Sequence, residues 1–199
     1  QGTFDEYADA DLLFLRPDVG GVDGMWTILY NGINRVNLLI QKVPEIESID
    51  AELSNEILGQ AYGLRALHYF NLARAWGDAP LVLVPPASLD EAAQVSRAPV
   101  DQVYAQVEAD ISQALTFLSG AGNFDRTFVT PGFLHALRAQ SELFQGDWAA
   151  AASSARQVQN TGDYDLVAGY SQLFTAQGSQ TPEDIFRVAF NETDQNNLG

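Results

Sequence analysis

Apolar positions recur every three or four residues through most of the chain, and the helices they predict are separated by short polar or proline-containing breaks. The densest pattern runs from Glu56 to Pro80. Ile57, Ala61, Leu64, His68, Leu72 and Ala75 mark one helical face, while Leu58, Tyr62, Tyr69, Ala73 and Trp76 mark the adjoining one. A helix that is apolar on two sides needs neighbours on two sides, so the segment 54–76 is predicted to be a central element. Asp50 or Ser54 can cap its start. Gly77 supplies a left-handed cap position at its end, and Pro80 forbids continuation.

The same periodicity places helices on both sides of this one. Trp26, Leu29, Tyr30, Ile33, Val36, Asn37 and Ile40 predict a helix over 25–43, stopped by Pro44. Val100, Val103, Tyr104, Val107, Ile111, Ala114, Leu115 and Leu118 predict another over 99–118, opened by Pro99 and polar on its far side at Asp101, Gln102, Gln106 and Gln113. Thr130-Pro131 starts a helix over 130–145, Gly146-Asp147 breaks it, and Trp148, Ala151 and Ala155 carry the next over 147–160. Small residues on one face of such a pair let helices approach closely, as in tetratricopeptide-type hairpins. Minor elements are a short helix near Phe4 to Phe14, a short strand over Leu81 to Val84, and a β-like run from Ile185 to Phe190. The predicted fold class is all-α, with one or two minor short strands.

Composition narrows the function. A chain of 199 residues with 46% apolar residues builds a real core. The net charge of −16, from 26 acidic and 10 basic residues, excludes nucleic acid and an anionic membrane surface as partners. The absence of cysteine excludes disulfides, thiolate metal sites and thiol catalysis. His68 and His135 sit inside apolar helical patterns without metal-ligand spacing, and no nucleophile elbow, phosphate loop or dinucleotide fingerprint occurs. Asp9/Asp11 and Asp163/Asp165 are near pairs of the kind that 26 carboxylates produce by chance. The residues therefore predict no enzyme, no cofactor and no metal. Arg65 interrupts the most buried helix, and an ion there requires a partner. Asp110, on the polar edge of the helix over 99–118, is the candidate.

Gly59-Gln60-Ala61, Leu64-Arg65-Ala66, Tyr69, Leu72 and Trp76-Gly77-Asp78-Ala79-Pro80 resemble the signature of the SusD/RagB family, with Gln60 where the family pattern has Glu. Trp26, Tyr30, Ile33, Val36 and Asn37 resemble the family's first repeat helix, and Tyr164-x-Leu166 followed by Glu183-Asp184-Ile185-Phe186 resembles a later stretch. The resemblance covers residues 25–190. It implies a right-handed stack of tetratricopeptide-like hairpins, with residues 1–199 as the N-terminal portion of a longer helical-repeat domain. It also implies capture of a glycan or other nutrient and its delivery to a TonB-dependent, SusC-like transporter. The protein would be lipid-anchored upstream of residue 1 and would face the exterior from the outer membrane. Tyr30, Asn37, Leu64, Arg65, Tyr69, Trp76, Gly77, Asp78 and Pro80 carry the structural signature.

A glycan surface needs aromatic faces for sugar rings and polar side chains for hydroxyls, placed on loops over a rigid scaffold. Two stretches offer them. One holds Phe14, Arg16, Asp18, Asp23 and Trp26; the other holds Asn123, Phe124 and Arg126 beside Asp125. Trp26 and Trp76 read first as core aromatics. The rival reading is a tetratricopeptide scaffold that binds protein partners in its concave face, although ten basic residues leave little to clamp a peptide carboxylate.

Overall fold

The computed structural model describes residues 20–88, 90–91, 94–119, 125–174 and 181–188. Five α-helices are described there: α1 Gly20–Lys42, α2 Ala51–Trp76, α3 Val100–Phe117, α4 Pro131–Phe144 and α5 Trp148–Asn160. The two-residue strands β1 Ala79–Pro80 and β2 Arg97–Ala98 lie between α2 and α3, paired antiparallel with Ala79 opposite Ala98. The expected helix near Phe4 to Phe14 lies outside the described residues.

The central place of α2 follows from its two apolar faces. It packs against α1 on one side and α3 on the other, and α4 meets it at Phe70, whose ring stands edge-on to that of Phe144 with centroids 5.5 Å apart. Ala66, Tyr69 and Leu72 of α2 are fully buried, as are Val103, Val107, Ile111 and Ala114 of α3 and Leu134 of α4. The second hairpin, α4 with α5, stacks on the first through α3.

Local chemistry sets the helix ends. Asp50 rather than Ser54 caps α2, its Oδ1 accepting from the backbone N–H groups of Glu52 at 2.7 Å and Leu53 at 3.4 Å, so the helix begins three residues before 54. Gly77, at φ 74°, closes the other end and donates its N–H to the Ala73 carbonyl. The Thr130 hydroxyl accepts from Phe133 N at 3.1 Å, and Asp147 Oδ1 accepts from Ala150 N at 3.0 Å. Among the described residues the first helix reaches back to Gly20, five residues before the predicted Met25, with Asp23 in its first turn favouring that end electrostatically.

Two strand expectations are corrected. Leu81 to Val84 forms no strand, because side chains from α1 and α2 satisfy its backbone; the only ladder among the described residues lies just before it, at β1. Of the run from Ile185 to Phe190, residues 189 and 190 lie outside the described residues, and the stretch 185–188 forms no strand. Phe186 packs on Phe133 with ring centroids 4.5 Å apart, and the Arg187 N–H donates to the Arg126 carbonyl at 3.0 Å, so these residues are pinned without a ladder.

Helix contacts are close where glycine allows it. A Cβ at Gly59 would stand 2.5 Å from Leu118 Cγ, and one at Gly63 would stand 2.5 Å from Val129 Cγ1. Gly59→Ala gains about 1 kcal/mol of helix propensity but forces a buried leucine aside, a term of about 1–3 kcal/mol. The expected net result is a destabilisation of about 1 kcal/mol, read from the midpoint of urea unfolding. A Gly59→Ala protein more stable than the parent would show that the contact yields freely.

Candidate functional site

The spacing of the signature describes one joint, the connection that leaves α2 and enters α3. Arg65 is the hub. Its Nε and Nη2 donate to Asp110 Oδ2 and Oδ1 at 2.8 and 2.7 Å, and its Nη1 donates to Asn37 Oδ1 at 2.8 Å. The predicted Arg65–Asp110 pair is therefore present, as a bidentate fork. Gln106 Nε2 adds a bond to Asp110 Oδ1 at 2.9 Å. Burial pushes the Asp110 carboxyl up, against the hydrogen bonds and charge of Arg65 that pull it down. Burial alone would lower Arg65, yet Asp110 outweighs it and the guanidinium is held above its ordinary value.

From this hub the chain after α2 is gripped residue by residue. Asn37 Nδ2 donates to the Val82 carbonyl at 2.7 Å. The Tyr69 hydroxyl donates to the same carbonyl and accepts from Val82 N, both at 2.8 Å. The Tyr30 hydroxyl donates to the Pro80 carbonyl at 2.8 Å, and Asp78 Oδ1 accepts from Val100 N at 2.8 Å, capping α3 where Pro99 has no side chain to do so. Leu64 and Trp76 pack half-buried against the core. These signature residues hold the backbone in place; their polar groups are committed to it and to one another. Gln60 is a further fastener that the sequence did not disclose. Its amide donates to the Val129 carbonyl at 2.9 Å and accepts from Val129 N at 2.7 Å, a pairing a carboxylate could only half reproduce.

Among the expected ligand residues, Phe14, Arg16, Asp18, Asn123 and Phe124 lie outside the described residues. Asp23 is exposed in the first turn of α1, and Trp26 is half-buried three residues on, on the same face. Trp26 forms a cluster with Tyr30, ring centroids 4.9 Å apart and tilted, and with Trp76, 5.4 Å apart and edge-on. Burial, and then Tyr69, push the Tyr30 hydroxyl upward in pKa; the exposed Arg97 lies near enough to pull it back. Two half-covered indoles, with an exposed carboxylate one turn from Trp26, are the kinds of group that a sugar ring contacts.

Arg126 has a different employment. Its Nη1 donates to the carbonyls of Thr181 at 2.8 Å and Asp184 at 2.5 Å, its Nη2 donates to the Asp163 carbonyl at 2.7 Å, and its guanidinium lies over the Tyr164 ring. It staples the 160s and 180s to the start of α4. The described members Arg126 and Trp26 are also far apart. Arg126 sits near the Gln60 end of α2 and Trp26 at the Trp76 end, and sixteen residues of helix separate these by about 24 Å. Among the described residues no cluster of three metal-binding side chains occurs, and no helix is long and apolar enough to cross a membrane.

Comparison with known proteins places this joint and stack in a family. Residues 18–127 match the SusD-like family model described as starch-binding and associating with the outer membrane. The chain is 28% identical over 182 residues to SusD-like protein P38 of Formosa agariphila, covering 86% of this chain and 35% of that one. Among solved structures it is similar to a laminarin-binding SusD-like protein, at 28% identity and a TM-score of 0.75, covering 81% of this chain and 36% of that one. A SusD superfamily protein from Parabacteroides distasonis matches at 32% identity and a TM-score of 0.74, covering 84% and 37%. The chain thus spans well under half the length of these relatives, and the right-handed stack of tetratricopeptide-like hairpins is common to them. With its family model matched over more than half of its length, the chain belongs to the SusD-like family.

Proposed function

We propose that the chain is the helical-repeat portion of a protein that captures an oligosaccharide outside the cell and passes it to a TonB-dependent, SusC-like transporter. A lipid anchor preceding residue 1 would hold it at the outer membrane, facing the exterior. The mechanism is binding alone, with no bond made or broken. Family membership supports the ligand class, and a laminarin-binding relative makes a β-glucan one concrete candidate.

The observation that carries the reading is the half-covered Trp26–Trp76 pair at the end of α2, with Asp23 exposed one turn before Trp26. Indole faces stack on the apolar side of a pyranose ring, and charged side chains strengthen hydrogen bonds to its hydroxyls. The test is titration of the full-length protein with laminari- and malto-oligosaccharides while following tryptophan fluorescence. Binding is expected to change the emission, and Trp26→Ala is expected to weaken it at least about tenfold, or about 1.4 kcal/mol, with the helical circular dichroism retained. Unchanged affinity in Trp26→Ala would remove this end of α1 from the ligand surface. Failure of the full-length protein to bind any glycan would remove the uptake reading itself.

A further inference from the structure

The end of α2 carries exposed chemistry on the side away from Trp76. Arg74 and Trp76 are two residues apart, so their side chains leave the helix in nearly opposite directions. The Arg74 guanidinium lies over the ring of Phe70, its carbon 5.6 Å from the centroid. Phe144, the last residue of α4, stands edge-on to the same ring, with centroids 5.5 Å apart and planes at 87°. Phe70 is 2% exposed, whereas Phe144 is 56% exposed and Arg74 is open to solvent. A guanidinium and an aromatic ring thus border one buried phenyl group, and both remain accessible.

The polar groups left over at this spot are donors. Arg74 Nε donates to Asn71 Oδ1 at 3.0 Å, one turn earlier on α2, which engages the one acceptor atom of the two side chains. Nη1 and Nη2 of Arg74 and Nδ2 of Asn71 have no hydrogen-bond partner among the described residues. The chain bears a net charge of −16, yet no carboxylate among the described residues forms an ion pair with this guanidinium. Burial pushes the Tyr104 phenol of α3 up in pKa and Arg74 pulls it back, so the guanidinium stands within charge range of that helix as well. An edge-on ring pair leaves at least one face of Phe144 uncovered by Phe70.

Donors without free acceptors select the group that binds them. A hydroxyl would bring a proton of its own that finds no acceptor here, whereas carboxylate and sulfate oxygens accept without donating. Bonds from a guanidinium to such oxygens are about twice as strong as neutral ones and are often paired. Phe144 meanwhile offers the flat apolar face on which a pyranose ring stacks. We propose that Arg74, Asn71 and Phe144 form a subsite for a sugar carrying an anionic oxygen group. The ring stacks on Phe144, and Nη1 and Nη2 of Arg74 donate to the carboxylate or sulfate. The saccharide class rests on the glycan reading above, whereas the demand for an anionic substituent rests on this cluster alone.

The test is calorimetric titration of the full-length protein with digalacturonate and with sulfated neocarrabiose, each beside its uncharged counterpart, galactobiose and desulfated neocarrabiose. At least one anionic sugar is expected to bind at least tenfold more tightly than its counterpart, and the two arms tell carboxylate from sulfate. Arg74→Gln is expected to erase that preference while leaving the uncharged sugar's affinity and the helical circular dichroism unchanged. Phe144→Ala is expected to weaken both sugars of the pair. Equal binding of charged and uncharged sugars overturns the proposal, as does a preference that survives Arg74→Gln or an undiminished affinity in Phe144→Ala. If Phe144→Ala fails to fold, the exposed Arg74→Gln decides alone. Tryptophan fluorescence that responds to laminari-oligosaccharides without any anionic preference removes this site and leaves the Trp26 reading standing. An Arg74-dependent preference with silent fluorescence removes only the Trp26 surface, and binding of no sugar at all removes both.

Discussion

Replacing Arg65 by methionine is expected to destabilise the protein by about 3–5 kcal/mol, the range for breaking a buried ion pair from one side. Asp110 is 1% exposed and Arg65 5%, so a carboxylate stripped of its fork cannot recover solvent. Asn37, also 1% exposed, loses the donor to its Oδ1 at the same time. Asp110→Leu alone should be comparably damaging, because it strands the guanidinium. The double variant Arg65→Met, Asp110→Leu removes both charges, and its loss should be much smaller than the sum of the two. Urea unfolding of the three variants measures this. Loss of less than about 1 kcal/mol in Arg65→Met would show that the pair contributes little to holding α2 against α3.

Tyr69→Ala should cost a similar amount, about 3–5 kcal/mol for a large aromatic removed from a closed core. Its ring is fully buried at the centre of the cluster formed by α1, α2 and α3. Tyr69→Phe isolates the hydroxyl. The Val82 carbonyl keeps its bond from Asn37, but the Val82 N–H loses its acceptor, for about 1–3 kcal/mol. Hydrogen exchange at the Val82 amide should quicken in Tyr69→Phe while the amides in the middle of α3 stay protected. Equal acceleration in both places would mean that the hydroxyl supports the whole stack and not the connection.

Burial pushes the Tyr69 phenol up to about 12 from 10.0, so the folded state holds this proton more tightly than the unfolded chain. Its contribution is complete below pH 10 and disappears as pH rises from there towards 12.

The sequence disclosed most where the determinants are local. Two apolar faces announced that α2 is central, Gly77 and Thr130-Pro131 announced helix ends, and an arginine in an apolar face demanded a partner that Asp110 provides. It disclosed least where backbone groups are satisfied from a distance. Leu81 to Val84 has the composition of a strand, yet Asn37 and Tyr69 supply the hydrogen bonds a neighbouring strand would have given. Asp78, known from the sequence only as part of the signature, caps a helix that begins twenty-two positions later. For the ligand surface, residue type alone singled out Trp26 and the loop residue Arg126, and it carried no information on which end of α2 each would occupy. Arg126 proved to be consumed by three carbonyls, a use invisible without the course of the chain around it.

The small ladder of Ala79–Pro80 against Arg97–Ala98 has a consequence for how such proteins can diversify. It brings the outgoing and returning chain to one strand spacing, about 4.8 Å, so the stretch between them hangs from a fixed socket. Length and sequence beyond Pro85-Pro86 can then be exchanged as a cartridge, with the helices that carry the socket registering none of the change.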